Sequence, residues 1–156
     1  MNSTNVTTNG YVGSQMYTTT LPSVLSTYIT PVFGSHVLEY SNNLTHTVNN
    51  SLYNKLGSNS GAASANFWYT RKLDLMNETQ VYGHIAFSSS GYDIGSDNIQ
   101  FPLFRLKPEF VNKGRNWYWL RDVVNSSNFA VVGHDRACWN STSGNNAGVR
   151  PYFYID

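Results

Sequence analysis

Charge is what this sequence has least of. Only 12% of its residues are Asp, Glu, Lys or Arg, about half the usual share, and they balance to a net charge of +1. Without a clustered Lys/Arg surface there is no field to hold a phosphate backbone, so nucleic acid is not an expected partner. Cysteine is scarcer still. The single Cys138 rules out an intrachain disulfide and any zinc site built on several thiolates. No apolar run approaches the roughly 20 residues that cross a bilayer, so membrane insertion is not expected. The opening Met1-Asn2-Ser3-Thr4 shows neither the charged nor the apolar region of a secretion signal, an absence that does not by itself place the chain in the cytoplasm.

What fills the gap is neutral and polar. There are 19 Asn and 18 Ser, side chains that make hydrogen bonds without imposing a strong field. Hydrophobic residues make up 40% of the 156 and aromatics 15%, enough apolar material for one core. One domain over residues 1–156 is expected, whether whole or the C-terminal domain of a longer protein.

Residues 1–20, rich in Asn, Thr and Gly, are expected to be irregular. Leu21, Leu25, Tyr28 and Val32 recur at helical spacing after Pro22, and Pro31 with Gly34 should end that helix. His36–Tyr40 reads as a strand, and residues 41–66 as loop with one short strand at most. Phe67, Tyr69, Arg71, Leu73 and Leu75 alternate as a strand does. Asn77-Glu78-Thr79-Gln80 has the form of a capping box, so a helical turn or two should follow. Residues 88–95 read as a turn-rich loop, and Phe101–Phe110, with two prolines, resists assignment. Trp117–Arg121 is the strongest strand signal, and Phe129–Val132, Ala137–Asn140 and Val149–Tyr154 give three more. A helix first and strands last, without regular alternation, predicts an α+β fold with an antiparallel sheet and two short helices.

The C-terminal forty or so residues carry a resemblance. The Trp-rich strand ending in Leu120-Arg121, a polar stretch, and a closing Gly148-Val149-Arg150-Pro151-Tyr152-Phe153 resemble the C-type-lectin-like domains of bacteria and phages, most closely the variable proteins of diversity-generating retroelements. Gly10-Tyr11, Leu21-Pro22 and Phe33-Gly34-Ser35-His36 are also similar to gut-phage and prophage homologues of that family. The resemblance implies a C-type-lectin-like fold, a twisted antiparallel sheet with two short helices, in which the last strand lies in the central sheet. It also implies a display segment at residues 123–147. In that family, codons of the display segment are mutated at adenines, a route that does not yield Lys, Glu, Gln or Met. Residues 123–147 contain none of these four. Trp139 would need a different codon and is a fixed position or a departure.

The resemblance implies a non-catalytic receptor-binding domain on a virion (a phage tail) or a bacterial cell surface. Its partner would be a host cell-surface protein or glycan, and homo-oligomerisation in the parent assembly is expected. The residues agree with a binding surface. Asn125, Asn128, His134, Asp135, Arg136, Trp139, Asn140, Thr142, Asn145 and Asn146 intersperse adaptable hydrogen-bonding groups with aromatic and basic anchors, and Trp139 is the anchor of choice. Phe129, Val131 and Cys138 should face inward, and Trp117 and Trp119 should be core. No catalytic residue, cofactor or metal ligand is assigned. His134 and Cys138 have the elements of a base and nucleophile, yet Cys138 reads better as a small buried residue. The formylglycine-generating enzymes, which share the broader fold, need paired cysteines. Ser141 follows Trp139-Asn140 where calcium-binding lectins carry a carboxylate, so no calcium-dependent sugar site is expected. Asp93 and Asp97 fit turns better than a cation site, and His36, His46 and His84 lack ligand spacing. Two rivals stay open: a structural virion or tail protein, and a tail-tip glycan hydrolase using two of Asp93, Asp97, Asp122 and Asp135.

Overall fold

A computed structural model describes residues 11, 14–43, 68–84, 99–114, 116–123, 128–142 and 146–156. Of the expected loop at 41–66, residues 41–43 fall in a strand and 44–66, with His46, lie outside the described residues, as do the expected loop at 88–95 with Asp93, and Asp97, Asn125 and Asn145. Short helices and antiparallel strands make up the described chain, the α+β mixture predicted from the sequence.

The first helix, α1, is longer than its periodicity suggested. It runs continuously through Met16–Thr20, Leu21–Val24, Leu25–Ile29 and Thr30–Phe33, alternating wide i→i−5 turns with ordinary α-turns. Residues expected to be irregular are therefore helical from Met16. Pro22 and Pro31 each lack the N–H that would reach four residues back. A wide turn precedes each of them, so Pro31 does not end the helix. Each wide turn carries extra residues and rotates the apolar stripe. Met16 and Leu21 are buried, with Val24, Leu25 and Ile29 packed beside them, while the expected stripe members Tyr28 and Val32 are 67% and 72% exposed. Gly34, at φ 58°, finally turns the chain away.

Among the described residues nine strands follow: β1 (Val37–Leu38), β2 (Tyr40–Asn43), β3 (Trp68–Arg71), β4 (Asp74–Leu75), β5 (Tyr118–Val123), β6 (Asn128–Val132), β7 (Cys138–Thr142), β8 (Pro151–Tyr152) and β9 (Tyr154–Ile155). Strands β5, β6 and β7 form a three-stranded antiparallel sheet in that order. Both faces of the central strand β6 are covered, which is why Phe129-Ala130-Val131-Val132 reads as an unbroken apolar run. Phe129 and Val131 join Trp119, Leu73, Leu75 and α1 in one core. Ala130 and Val132 join Tyr118, Leu120, Met76 and Phe104 in the other.

The C-terminal segment does not enter that sheet as a full strand. Among the described residues its backbone bridges to β5 at Gly148, whose N–H donates to the Trp117 carbonyl at 2.6 Å and whose carbonyl accepts from Trp119 at 3.1 Å. A Cβ at Gly148 would lie 3.2 Å from the Trp117 carbonyl oxygen, so the approach favours glycine. Beyond it, β8 pairs with β4 and β9 with β1. Pro151 opens β8, a strand position that tolerates a missing donor. The expected strand at 67–75 is likewise broken in two, by a bend at Lys72 and Leu73.

Helix α2 (Glu78–Tyr82) starts as expected. Asn77 Oδ1 accepts from the Gln80 N–H at 2.7 Å and Gln80 Oε1 from the Asn77 N–H at 2.9 Å. The unassigned stretch forms α3 (Pro102–Leu106) and a 3₁₀ turn, Pro108–Phe110. Buried polar contacts lash residues 73–81 to β5. Arg121 and Asp74, both fully buried, pair at 3.4 Å, and the Tyr11 hydroxyl donates to the other oxygen of Asp74. Asp122 accepts from the Glu78 N–H at 2.8 Å. That locks β5, and with it the residue just before it, Trp117. Among the described residues no helix is long and apolar enough to cross a membrane.

Candidate functional site

The β6–β7 hairpin closes over Gly133, His134, Asp135, Arg136 and Ala137. Gly133 donates to the Ala137 carbonyl at 2.8 Å, and Arg136 donates back to Gly133 at 3.0 Å. To close it, Arg136 adopts φ 69°, a left-handed conformation uncommon outside glycine. Asp135 then folds inward over the turn. Its Oδ1 accepts from the Ala137 N–H at 3.1 Å and from the Trp139 indole N–H at 3.3 Å. The Ala137 N–H is the main reason that this carboxyl titrates below the ordinary aspartate range, outweighing slight desolvation, with Trp139 adding to the effect.

Trp139 is thus held by its nitrogen while its ring stays 46% exposed. The ring stacks on Trp117 with centroids 6.3 Å apart and planes 26° from parallel. Trp117 in turn lies edge to edge with His134, with centroids 6.2 Å apart and planes 27° from parallel, and donates its indole N–H to His134 Nδ1 at 3.0 Å. That bond requires the lone pair on Nδ1, so in it the neutral ring carries its proton on Nε2. Three flat rings form one ladder across the end of the sheet. Trp117 lines two adjoining shallow grooves that share Asn116 and Gly148, one of about 390 Å³ that reaches Asn146 and Ala147 and one of about 330 Å³ that reaches Lys113 and Arg150.

The predicted site residues therefore divide. His134, Asp135, Arg136 and Trp139 share the hairpin end, and the exposed Asn146 lies beside Trp117. Asn128 and Thr142 pair with each other at the opposite end of the hairpin, four residues or roughly 14 Å along β6 from Val132. Asn140 is paired with Ala130 between them. Of the eight described positions, five share this end of the sheet and Asn128, Asn140 and Thr142 lie away from it along the hairpin.

Trp117, assigned to the core on sequence, is half-buried and belongs to this surface. Its partner in the Trp-x-Trp pattern, Trp119, is core as expected. Both pack on the same core, Trp119 enclosed within it and Trp117, just before β5, half-covered at its margin. Two-residue periodicity identifies the face and leaves open where its cover stops.

No protein-family model, curated protein or solved structure matches this chain. Its chemistry is read from the geometry alone. Among the described residues no group of three or more His, Cys, Asp or Glu could hold a metal ion. His134 and Cys138 are engaged with different neighbours. The Cys138 thiol donates to Glu78 Oε1 at 3.4 Å, and burial, reinforced by that carboxylate, raises its pKa far above the usual thiol value. A thiol so held is a poor nucleophile. Asp122 is buried in its bond to Glu78, remote in role from the exposed Asp135. Tyr118, beneath the second groove, has its phenol pushed up to about 12 by burial, against the opposing pull of Arg150. Arg150 itself is built in. Its guanidinium donates to the Val111 carbonyl at 2.6 Å and lies over the rings of Phe104 and Tyr118.

Proposed function

We propose that the chain is a non-catalytic, C-type-lectin-like ligand-binding domain, acting as a host-recognition protein of a phage or prophage on a tail or cell surface. The observation that carries the binding reading is the Trp139–Trp117–His134 ladder. Large aromatic rings left open to water at a molecular surface are costly to hydration, and here two side-chain hydrogen bonds fix them in place. Pre-organised aromatic anchors ringed by Asn, Asp and Arg are the composition of surfaces that bind. Pinned side chains also lose little entropy on association. The resemblance of Gly148–Phe153 and Trp117–Arg121 to diversity-generating variable proteins supplies the biological setting.

The test is Trp139→Ala, assayed for attachment to bacterial cells that the unmodified protein binds. Attachment should fall by tenfold or more, the loss of about 2 kcal/mol typical of an anchor, with oligomeric state and melting temperature little changed. Unchanged attachment would refute this reading. Lost assembly with intact folding would make the chain a structural component instead.

A further inference from the structure

The two grooves beside Trp117 differ in charge. Asn116, Trp117 and Gly148 line both. The first groove adds only Asn146 and Ala147. The second adds Lys113 and Arg150, and no carboxylate lines either groove among the described residues. In a chain with so little charge, two cations at one end of an aromatic-floored surface, with the Asp135 carboxylate beside Trp139, form a directional feature. Trp117 lines both grooves with the 46% exposed Trp139 ring next to it, and the exposed Asn116 and Asn146 each carry both donors and acceptors.

We infer that this surface takes an acidic saccharide, with a pyranose ring laid on the Trp117 and Trp139 indoles and its carboxylate drawn to Lys113 and Arg150, without a metal ion. The inference rests on the binding reading above and names its ligand class. The C–H face of a pyranose lies flat on an electron-rich ring, while hydroxyls at its rim need partners that both give and accept hydrogen bonds, which the asparagine amides do. A peptide would be held differently. Strand extension would use the edge of β7, the outer strand of the sheet among the described residues, which lines neither groove, and a peptide in the grooves would call for a trough of aliphatic side chains. The grooves offer only Ala147 and Val149 of that kind. Their size suits one sugar ring each. Arg150, braced by Val111, Phe104 and Tyr118, is a fixed charge, whereas the exposed Lys113 over Phe110 can adjust.

The experiment compares galacturonic acid oligosaccharides with galactose oligosaccharides of equal length, which differ only in the carboxylate. Binding is read from the tryptophan indole N–H signals in two-dimensional NMR, with a chelator present. The acidic series should shift the Trp117 and Trp139 signals and leave buried Trp119 still. It should bind at least about tenfold more tightly than the neutral series, the worth of one charge-assisted hydrogen bond. Lys113→Gln should remove most of that preference, and Trp139→Ala should remove binding of both series. Equal affinity for the two series, a requirement for calcium, or shifts that spare Trp117 and Trp139 would overturn the inference. Attachment to cells gives a separate arm. If it depends on Trp139 but survives periodate treatment and is abolished by protease, the ligand is a protein. The saccharide inference then falls while the binding reading stands. If attachment ignores Trp139, the binding reading itself falls.

Discussion

Gly133 shows how far one residue controls the site. A Cβ there would lie 2.6 Å from Asp135 Oδ1 and 2.7 Å from Trp139 Cδ1, so any larger side chain displaces the bond that fixes the anchor. Gly133→Ala should leave the fold standing, destabilise it by about 1–2 kcal/mol through overpacking, and shift the Trp139 indole N–H signal. An unmoved signal in this variant would mean that the turn absorbs the methyl without releasing the ring. Asp135 gives the matching pH test. Because the Ala137 N–H favours its ionised form, its folded pKa is depressed. The associated stabilisation is present above the unfolded aspartate value and is lost as pH falls through the lower folded one. With the carboxylate open to solvent the effect on stability is small, so the site itself is the better reporter. In a carbon-13 titration the Asp135 carboxyl should turn over below the ordinary aspartate range, and the Trp139 indole N–H should shift with the same midpoint. Independent midpoints would show that the Asp135–Trp139 bond does not form in solution.

At the scale of elements, the features set by near neighbours were legible and those set by distant contacts were not. Asn77 and Gln80 announce their helix because a capping box is a local bond pair. Asn77→Ala should cost about 1 kcal/mol, read as a lowered urea midpoint with unchanged slope. A variant as stable as the parent would mean that tertiary packing alone holds α2. Strand β6 is likewise legible, since a run of four apolar residues bounded by Asn and Gly has few other uses. Helix α1 was read short because its hydrogen bonds change type along its length, and a stripe counted at 3.6 residues per turn drifts off the buried side by Tyr28. The closing strand was read too long. Whether Val149–Tyr154 pairs with β5, β4 or β1 depends on Gly148 and on residues far away in sequence, Leu75 and Val37 among them. Of the candidate site, the hairpin end is legible through composition, Trp139 included. Trp117 packs on the core as its spacing suggests, but that it is only half-covered depends on residues far away in sequence.

For the whole molecule, the buried pair of Asp74 and Arg121 joins the two halves of the chain. One partner comes from the segment before α2 and the other from the central sheet, with Tyr11, from near the N-terminus, on the same carboxylate. Neither charge reaches water, so each depends on the polar groups around it. Such a pair adds little net stability relative to a well-packed apolar alternative, yet removing one member strands the other. Arg121→Met keeps much of the side-chain volume and removes the cation from the Asp74 carboxylate, which Tyr11 and the Leu75 N–H also contact. The expected loss is about 3–5 kcal/mol, a large share of the stability of a domain of this size. Asp74→Asn combined with Arg121→Met should recover part of it, because the stranded charge is then gone. Thermal unfolding of the single and double variants measures the coupling. If the single variant unfolds within about a degree of the parent, the pair is not what binds the 73–81 segment to β5. In that case the rigidity of the Trp117 platform would have to come from apolar packing around Trp119 and Leu75 alone.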